Sequence, residues 1–113
     1  MPKLIGHLRK KKDFDSVFKL GKSSYDQLLG IKCMPNNLPD LRIGIVISNK
    51  VSKKAVFRNR LRRQLRYIAA KHADDTKFGN DLIILVLPAA LGQPFADLER
   101  SYLFNSRRIR AKN

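Results

Sequence analysis

Tryptophan is absent from this chain of 113 residues, cysteine and glutamate occur once each, and histidine occurs twice. A lone Cys33 excludes an internal disulfide framework and any zinc site built on paired cysteines. Long apolar runs are also missing. The longest, Leu82-Ile83-Ile84-Leu85-Val86-Leu87, is strand-sized and far below the ~20 residues a membrane helix needs. The stretch Met1-Pro2-Lys3-Leu4-Ile5-Gly6 lacks the apolar core of a signal peptide, so the expected location is the cytoplasm, with no membrane partner. Negative charge is scarce as well: 9 Asp+Glu stand against 24 Lys+Arg, a net charge of +15. With Glu99 the sole glutamate and no His/Cys/Asp/Glu set at metal-ligand spacing, the sequence offers no catalytic or metal-binding constellation of its own. Asp74-Asp75 reads as a polar helix end or loop rather than a metal pair. His72 reads as a satisfied histidine on an apolar stripe rather than a base, and Cys33 as a small core residue. Gly21 and Gly30 stand alone, so no glycine-rich phosphate loop is present.

What the chain does have is apolar residues enough for one core and a concentrated positive charge. At 43% hydrophobic and 113 residues, a single domain spanning 1–113 is expected. From Ser48 to Ala73 there is no acid, while Lys50, Lys53, Lys54, Arg58, Arg60, Arg62, Arg63, Arg66 and Lys71 fall in that stretch. Smaller clusters occur at Arg9-Lys10-Lys11-Lys12 and at Arg107, Arg108, Arg110 and Lys112. Cations this dense repel one another, and they point to a polyanionic partner.

Periodicity places that charge on folded structure. Residues 12–20 read as a short helix, with Phe14, Val17 and Phe18 at i, i+3, i+4 and Gly21 as its cap. A strand is expected over 26–34, with Leu29, Ile31 and Cys33 on one face. A loop follows over 35–40, then a strand over 42–48 with Ile43, Ile45 and Ile47 on one face. A helix over 55–72 carries Phe57, Leu61, Leu65 and Ile68 within about 40° of one line, its expected buried stripe. Asn59, Arg60, Arg62, Arg63, Arg66 and Tyr67 take the opposite half, with Arg58 at the border. A doubly buried strand over 81–87 and a helix from Pro94 to about Ile109, with Phe95, Leu98 and Tyr102 inward, complete the order α-β-β-(β)-α-β-α.

This pattern suits RNA. Guanidinium forks match phosphate oxygens bidentately, and Arg58, Arg62 and Arg66 at i, i+4, i+8 form one ridge that Arg60 and Arg63 widen. Asn59 can donate to and accept from a base edge or ribose hydroxyl, and Lys50, Lys53 and Lys54 precede the helix as point charges. Phe14 and Phe18, one helical turn apart, are open to two readings: core, or a stacking platform for single-stranded nucleotides.

The run Arg58-Asn59-Arg60-Leu61-Arg62-Arg63-Gln64-Leu65-Arg66, preceded by Ser48-Asn49-Lys50-Val51-Ser52-Lys53-Lys54-Ala55-Val56, closely resembles the signature of the bacterial ribonuclease P protein component. Phe14-x-x-Val17-Phe18-x-x-Gly21, Arg42-Ile43-Gly44-Ile45 and the strand over 81–87 fit the same family in order. The resemblance implies an α/β (α+β) sandwich, a small mixed sheet of about four strands with helices packed on it and a left-handed βαβ crossover. It implies that the protein is not the catalyst. An RNA subunit holding Mg2+ would hydrolyse precursor tRNA at the 5′ end of the mature sequence, and the protein would need no organic cofactor or obligate protein partner. Lys50, Lys53, Lys54, Arg58, Asn59, Arg60, Arg62, Arg63 and Arg66 would contact the ribonuclease P RNA. Phe14 and Phe18, with Lys12 and Lys32, would line a cleft for the 5′ leader of precursor tRNA. Four positions depart from the family pattern. Asn49 stands where lysine is usual, Arg62 where lysine is common, and Gly30 and Lys32 where some relatives carry an apolar or aromatic cleft residue, which shifts the expected leader contact from stacking toward phosphate. A structural RNA-binding protein of ribosomal type is the alternative that composition and charge leave open. A helix-turn-helix DNA binder fits less well, because the basic helix follows a strand and a lysine loop.

Overall fold

The computed structural model of the chain describes residues 6–73 and 79–111. The readings of Asp74-Asp75 and Lys112 lie outside the described residues. In chain order the elements are β1 (Gly6–His7), α1 (Lys11–Leu20), β2 (Lys22–Tyr25), β3 (Leu29–Pro35), β4 (Arg42–Ile47), α2 (Ala55–Lys71), β5 (Asn80–Val86), a 3-10 turn (Pro88–Ala90) and α3 (Phe95–Ala111). The strands form one mixed sheet in the order β1-β4-β5-β3-β2. β1 and β5 each run parallel to β4, and β3 runs antiparallel to both β5 and β2. The parallel pair β4 and β5 is joined through α2, a βαβ unit of the kind the family resemblance implied.

Each face of the sheet has its own apolar cluster. Leu29 and Ile31 from β3, Ile43 from β4, and Leu82, Ile84 and Val86 from β5 meet Leu61, Leu65, Ile68 and Ala69 of α2 and Leu98 and Tyr102 of α3. On the opposite face Ile83 and Leu8 meet Val17 of α1, with Phe14, Met34, Val46 and Leu85 packed around them. The side chains of β5 therefore alternate between two cores, which is why its sequence is continuously apolar. Val46, on the polar side of the expected β4 pattern, belongs to the smaller of these clusters.

The segment 22–35 is a hairpin rather than the single strand expected over 26–34. The side chain of Asp26 makes the turn, its Oδ1 accepting the N–H groups of Leu28 and Leu29, each at 2.9 Å. Ser101 of α3 donates its hydroxyl to the same carboxylate at 2.7–2.8 Å. Ser24, buried on β2, donates to Asn105 of α3 at 2.7 Å. A polar seam thus docks the hairpin on α3, and it supplied no hydrophobic alternation to read. At the other edge β1 brings the strands to five, pairing Gly6 with Arg42.

Two expected core positions differ in outcome. His72 is half-buried, its Nε2 2.8 Å from Glu99 Oε2 and its ring stacked on Tyr102, as the satisfied reading required. Glu99 also accepts from Lys71 at 2.9 Å, and these two partners, Lys71 first, hold its carboxyl below the usual range. Phe57, expected in the buried stripe, is 37% exposed. Its direction on the helix is as expected, but the first turn of α2 meets the turn after β5 across a recess lined also by Leu61 and Leu91. Cys33 packs against the larger core, and burial pushes its thiol up to about 11.

Candidate nucleic-acid interface

The charge of α2 is held outward because Leu61 and Leu65, at 4% and 0% exposure, fix the opposite side of the helix in the core. Asn59, Arg60 and Arg63 are exposed, and Arg62 is half-buried with its Nη1 donating to Asn59 Oδ1 at 3.0 Å. Arg58 folds back instead of projecting: its Nη1 donates to the carbonyl of Ser52 at 2.8 Å, tying the helix to the loop before it. That loop is ordered by its own serines. Ser48 Oγ accepts from Lys50 N–H, Ser52 Oγ accepts from Lys54 N–H, and Val51 is buried beneath. Lys50, Lys53 and Lys54 are left exposed around the helix start, where the N-cap Lys54 makes no side-chain capping bond and the first turn has no acid.

Arg66 is the unusual member of the ridge. Its Nη1 is buried and has no hydrogen-bond partner among the described residues. Burial first, then the neighbouring guanidinium groups of Arg62 and Arg9, lowers its pKa from the usual arginine value. Arg66, followed by burial and Arg9, likewise pulls His7 below the ordinary histidine value. Four cationic or protonatable groups from β1, the segment after it and α2, namely His7, Arg9, Arg62 and Arg66, therefore act on one another, and no carboxylate among the described residues figures in the shift of Arg66 or His7. A buried donor left open costs free energy, and an anion placed there would satisfy it. Sequence reading missed His7 and Arg9 as electrostatic neighbours of Arg66, because the pairing of β1 with β4 that delivers them rests on only two residues.

A second constellation lies on the other face of the sheet, between α1 and the strands. Phe14 is half-buried over Gly44, where a Cβ would stand 2.5 Å from its ring. Phe18 is 41% exposed. The two readings of this pair thus divide between the residues: Phe14 packs with the core and Phe18 faces out. Tyr25, 43% exposed, lies flat over Gly30, with a Cβ there only 2.2 Å from its ring. The ammonium of Lys32 sits between the rings, 5.9 Å from the centroid of Phe18 and 5.7 Å from that of Tyr25. Lys12 stands exposed on α1. Gly30 therefore does not remove the aromatic surface from the cleft; it makes room for Tyr25, supplied from β2. That tyrosine was not legible as a site residue, because the hairpin that delivers it was not.

The height of α1 above the sheet is set by an ion-pair strut. Arg42 donates through Nε and Nη2 to the two oxygens of Asp81, at 2.7 and 2.6 Å, and through Nη1 to Asp13 of α1 at 3.3 Å. Asn36 donates to the same Asp81 at 2.8 Å. The hydrogen bonding of Arg42 to Asp81 raises the pKa of Arg42.

A family model described as Ribonuclease P matches residues 4–109 of the chain. The chain is 38% identical over 93 residues to the ribonuclease P protein component of Synechocystis sp., covering 81% of this chain and 74% of that protein. It is 36% identical over 93 residues to that of Desulforamulus reducens, covering 82% and 81%. Among solved structures, an RNase P protein from Thermotoga maritima aligns with a TM-score of 0.79 at 27% identity, covering 87% of this chain and 94% of that one. An RNase P protein from Staphylococcus aureus aligns at a TM-score of 0.79 and 23% identity, covering 92% and 94%, a likeness of fold alone.

Proposed function

The chain belongs to the bacterial ribonuclease P protein family, and on that premise we propose that its α2 ridge and lysine loop dock the ribonuclease P RNA while the cleft under α1 holds the 5′ leader of precursor tRNA. It is the protein component of an endoribonuclease ribonucleoprotein. The observation that carries the docking assignment is Arg66, a buried guanidinium donor with no hydrogen-bond partner among the described residues, set beside the further cations Arg62 and Arg9. Phosphate is the ligand that such a group lacks.

The side chains support a division of labour in which the protein binds and the RNA cleaves. Among the described residues no group of three or more His, Cys, Asp or Glu comes together. Asp13 and Asp81 are engaged by Arg42, Asp26 by its turn and Ser101, and Glu99 by Lys71 and His72. This donor set does not fit a catalytic Mg2+, which is assigned to the RNA subunit. The protein acts on binding. Its cations replace part of the counterion atmosphere that folded RNA otherwise draws from magnesium. Phe18 and Tyr25 offer faces on which unpaired leader bases stack without regard to sequence, and Lys32 between them neutralises a leader phosphate.

Reconstitution with a bacterial ribonuclease P RNA and a precursor tRNA at low magnesium tests the reading. The protein alone is expected to leave the precursor intact. Added to the RNA, it is expected to lower the magnesium requirement and the KM, with cleavage at the 5′ end of the mature sequence. Cleavage kinetics unmoved by the protein at low magnesium count against the whole assignment.

The cleft has its own test in Gly30→Ala. The new Cβ cannot coexist with Tyr25 where it lies, and the half-exposed ring swings off the sheet at little cost to folding. One stacking surface is displaced, so affinity should fall about tenfold for a precursor with a leader of several nucleotides, near the lower part of the range for one base–aromatic contact. Affinity for mature tRNA should not change. Equal losses for both substrates would place the leader elsewhere.

A further inference from the structure

The recess beside Phe57 lies at one end of the arginine ridge, and the phosphate contacts assigned to Arg60 and Lys54 leave its apolar wall and its two glutamines unaccounted for. Its volume is about 350 Å³, near the lower end of the range for small-ligand sites. Phe57 and Leu91, 37% and 40% exposed, form an apolar wall on the two sides of the seam between α2 and the turn after β5. Leaving two large apolar side chains half open at a seam costs burial that a closed seam would recover. Gly92 lies at the mouth with a left-handed φ of 81° and nothing within 4 Å of where a Cβ would stand.

The rest of the lining is polar in a specific way. Gln64 of α2 and Gln93 of the turn contribute carboxamides, each able to donate and accept, and Arg60 contributes a guanidinium. None of these three side chains has a hydrogen-bond partner among the described residues. The ammonium of Lys54 stands over the Phe57 ring, 5.7 Å from its centroid. A flat apolar wall, two donor–acceptor amides and flanking cations match one chemical object: a planar heterocycle with a hydrogen-bonding edge and an attached phosphate.

We propose that this recess receives a single unstacked nucleobase of the RNA subunit, stacked on Phe57, read on its edge by Gln64 and Gln93, and with its phosphate held by Arg60 and Lys54. The inference rests on the docking of the RNA by α2 and adds to it a base-reading site on an otherwise phosphate-binding surface. RNA readout of this kind targets unpaired bases, because the edges of an A-form duplex are hard to reach. A second copy of the chain, carrying the same +15 charge, would meet repulsion from the ridge instead.

The test compares the full-length protein with Phe57→Ala and with the Gln64→Ala/Gln93→Ala double variant, each bound to the ribonuclease P RNA. Phe57→Ala should weaken RNA binding about tenfold. The salt dependence should stay that of the unaltered protein, since no phosphate contact is removed. Base reactivity gives the direct reading, with dimethyl sulfate for A and C and a carbodiimide for G and U. One unpaired base protected by the unaltered protein should become reactive in both variant complexes, while the remaining protections persist. Because Phe57, Gln64 and Gln93 are not core residues, circular dichroism and melting should match the unaltered protein. Affinity unchanged in both variants with no base regaining reactivity overturns the pocket and leaves the docking intact. Failure of the unaltered protein to bind the RNA removes both readings.

Discussion

Asp81→Ala is expected to destabilise the fold by about 3 kcal/mol, the largest single-residue effect outside the apolar core. Asp81 is 5% exposed and takes three donors, two from Arg42 and one from Asn36. Breaking such a pair leaves an unpaired charge in a poorly solvated place, which typically costs about 3–5 kcal/mol. The lower end applies because the Arg42 side chain, 25% exposed, can turn partly toward water. Arg42 also holds Asp13, so α1 loses its strut and the Phe18–Lys32–Tyr25 cleft loses its spacing. Chemical denaturation should therefore move together with affinity for the precursor leader. The Arg42→Met/Asp81→Leu double variant removes both charges and should recover much of the stability but not the leader affinity, because Asp13 has no partner across the cleft. A cost below about 1 kcal/mol for Asp81→Ala would show that the strut does not hold α1.

Elements whose pattern is local were legible in the sequence. The continuous apolar run of β5 and the Leu61–Leu65–Ile68 stripe of α2 each announce their own burial, and the arginine ridge follows once that stripe is fixed. Elements defined by a partner were not. β1 has two residues, and its role is to carry His7 and Arg9 to Arg66, which is remote in sequence. β2 is polar along Lys22-Ser23-Ser24-Tyr25 because it docks through Asp26 and Ser24 onto α3, so hydrophobic alternation passed over it and over Tyr25 with it. Phe57 exposes the limit of angular reasoning. Helical phase fixes which way a side chain points, but whether anything lies beneath depends on where the helix overhangs its support. The Arg42–Asp81 pair spans 39 residues and carries no periodic signature at all.

Replacing Arg62 and Arg66 by alanine should move two measurements in opposite directions. In the free protein, Arg66 carries a buried donor without a partner among the described residues and stands against Arg62 and Arg9, so its removal relieves both desolvation and like-charge repulsion. Folding stability is expected to stay level or rise by up to about 1 kcal/mol. RNA binding should weaken, because each guanidinium released from a phosphate forfeits a charge-assisted contact worth about 1.5–3 kcal/mol. The slope of log affinity against log salt should flatten by roughly 1–2. A structural defect would lower stability and affinity together, whereas a ligand-seeking ridge separates them. The contrast with Phe57→Ala sharpens the point, since that variant should lose affinity at unchanged slope. Equal slopes for the unaltered and doubly substituted proteins would mean that these arginines do not meet phosphate.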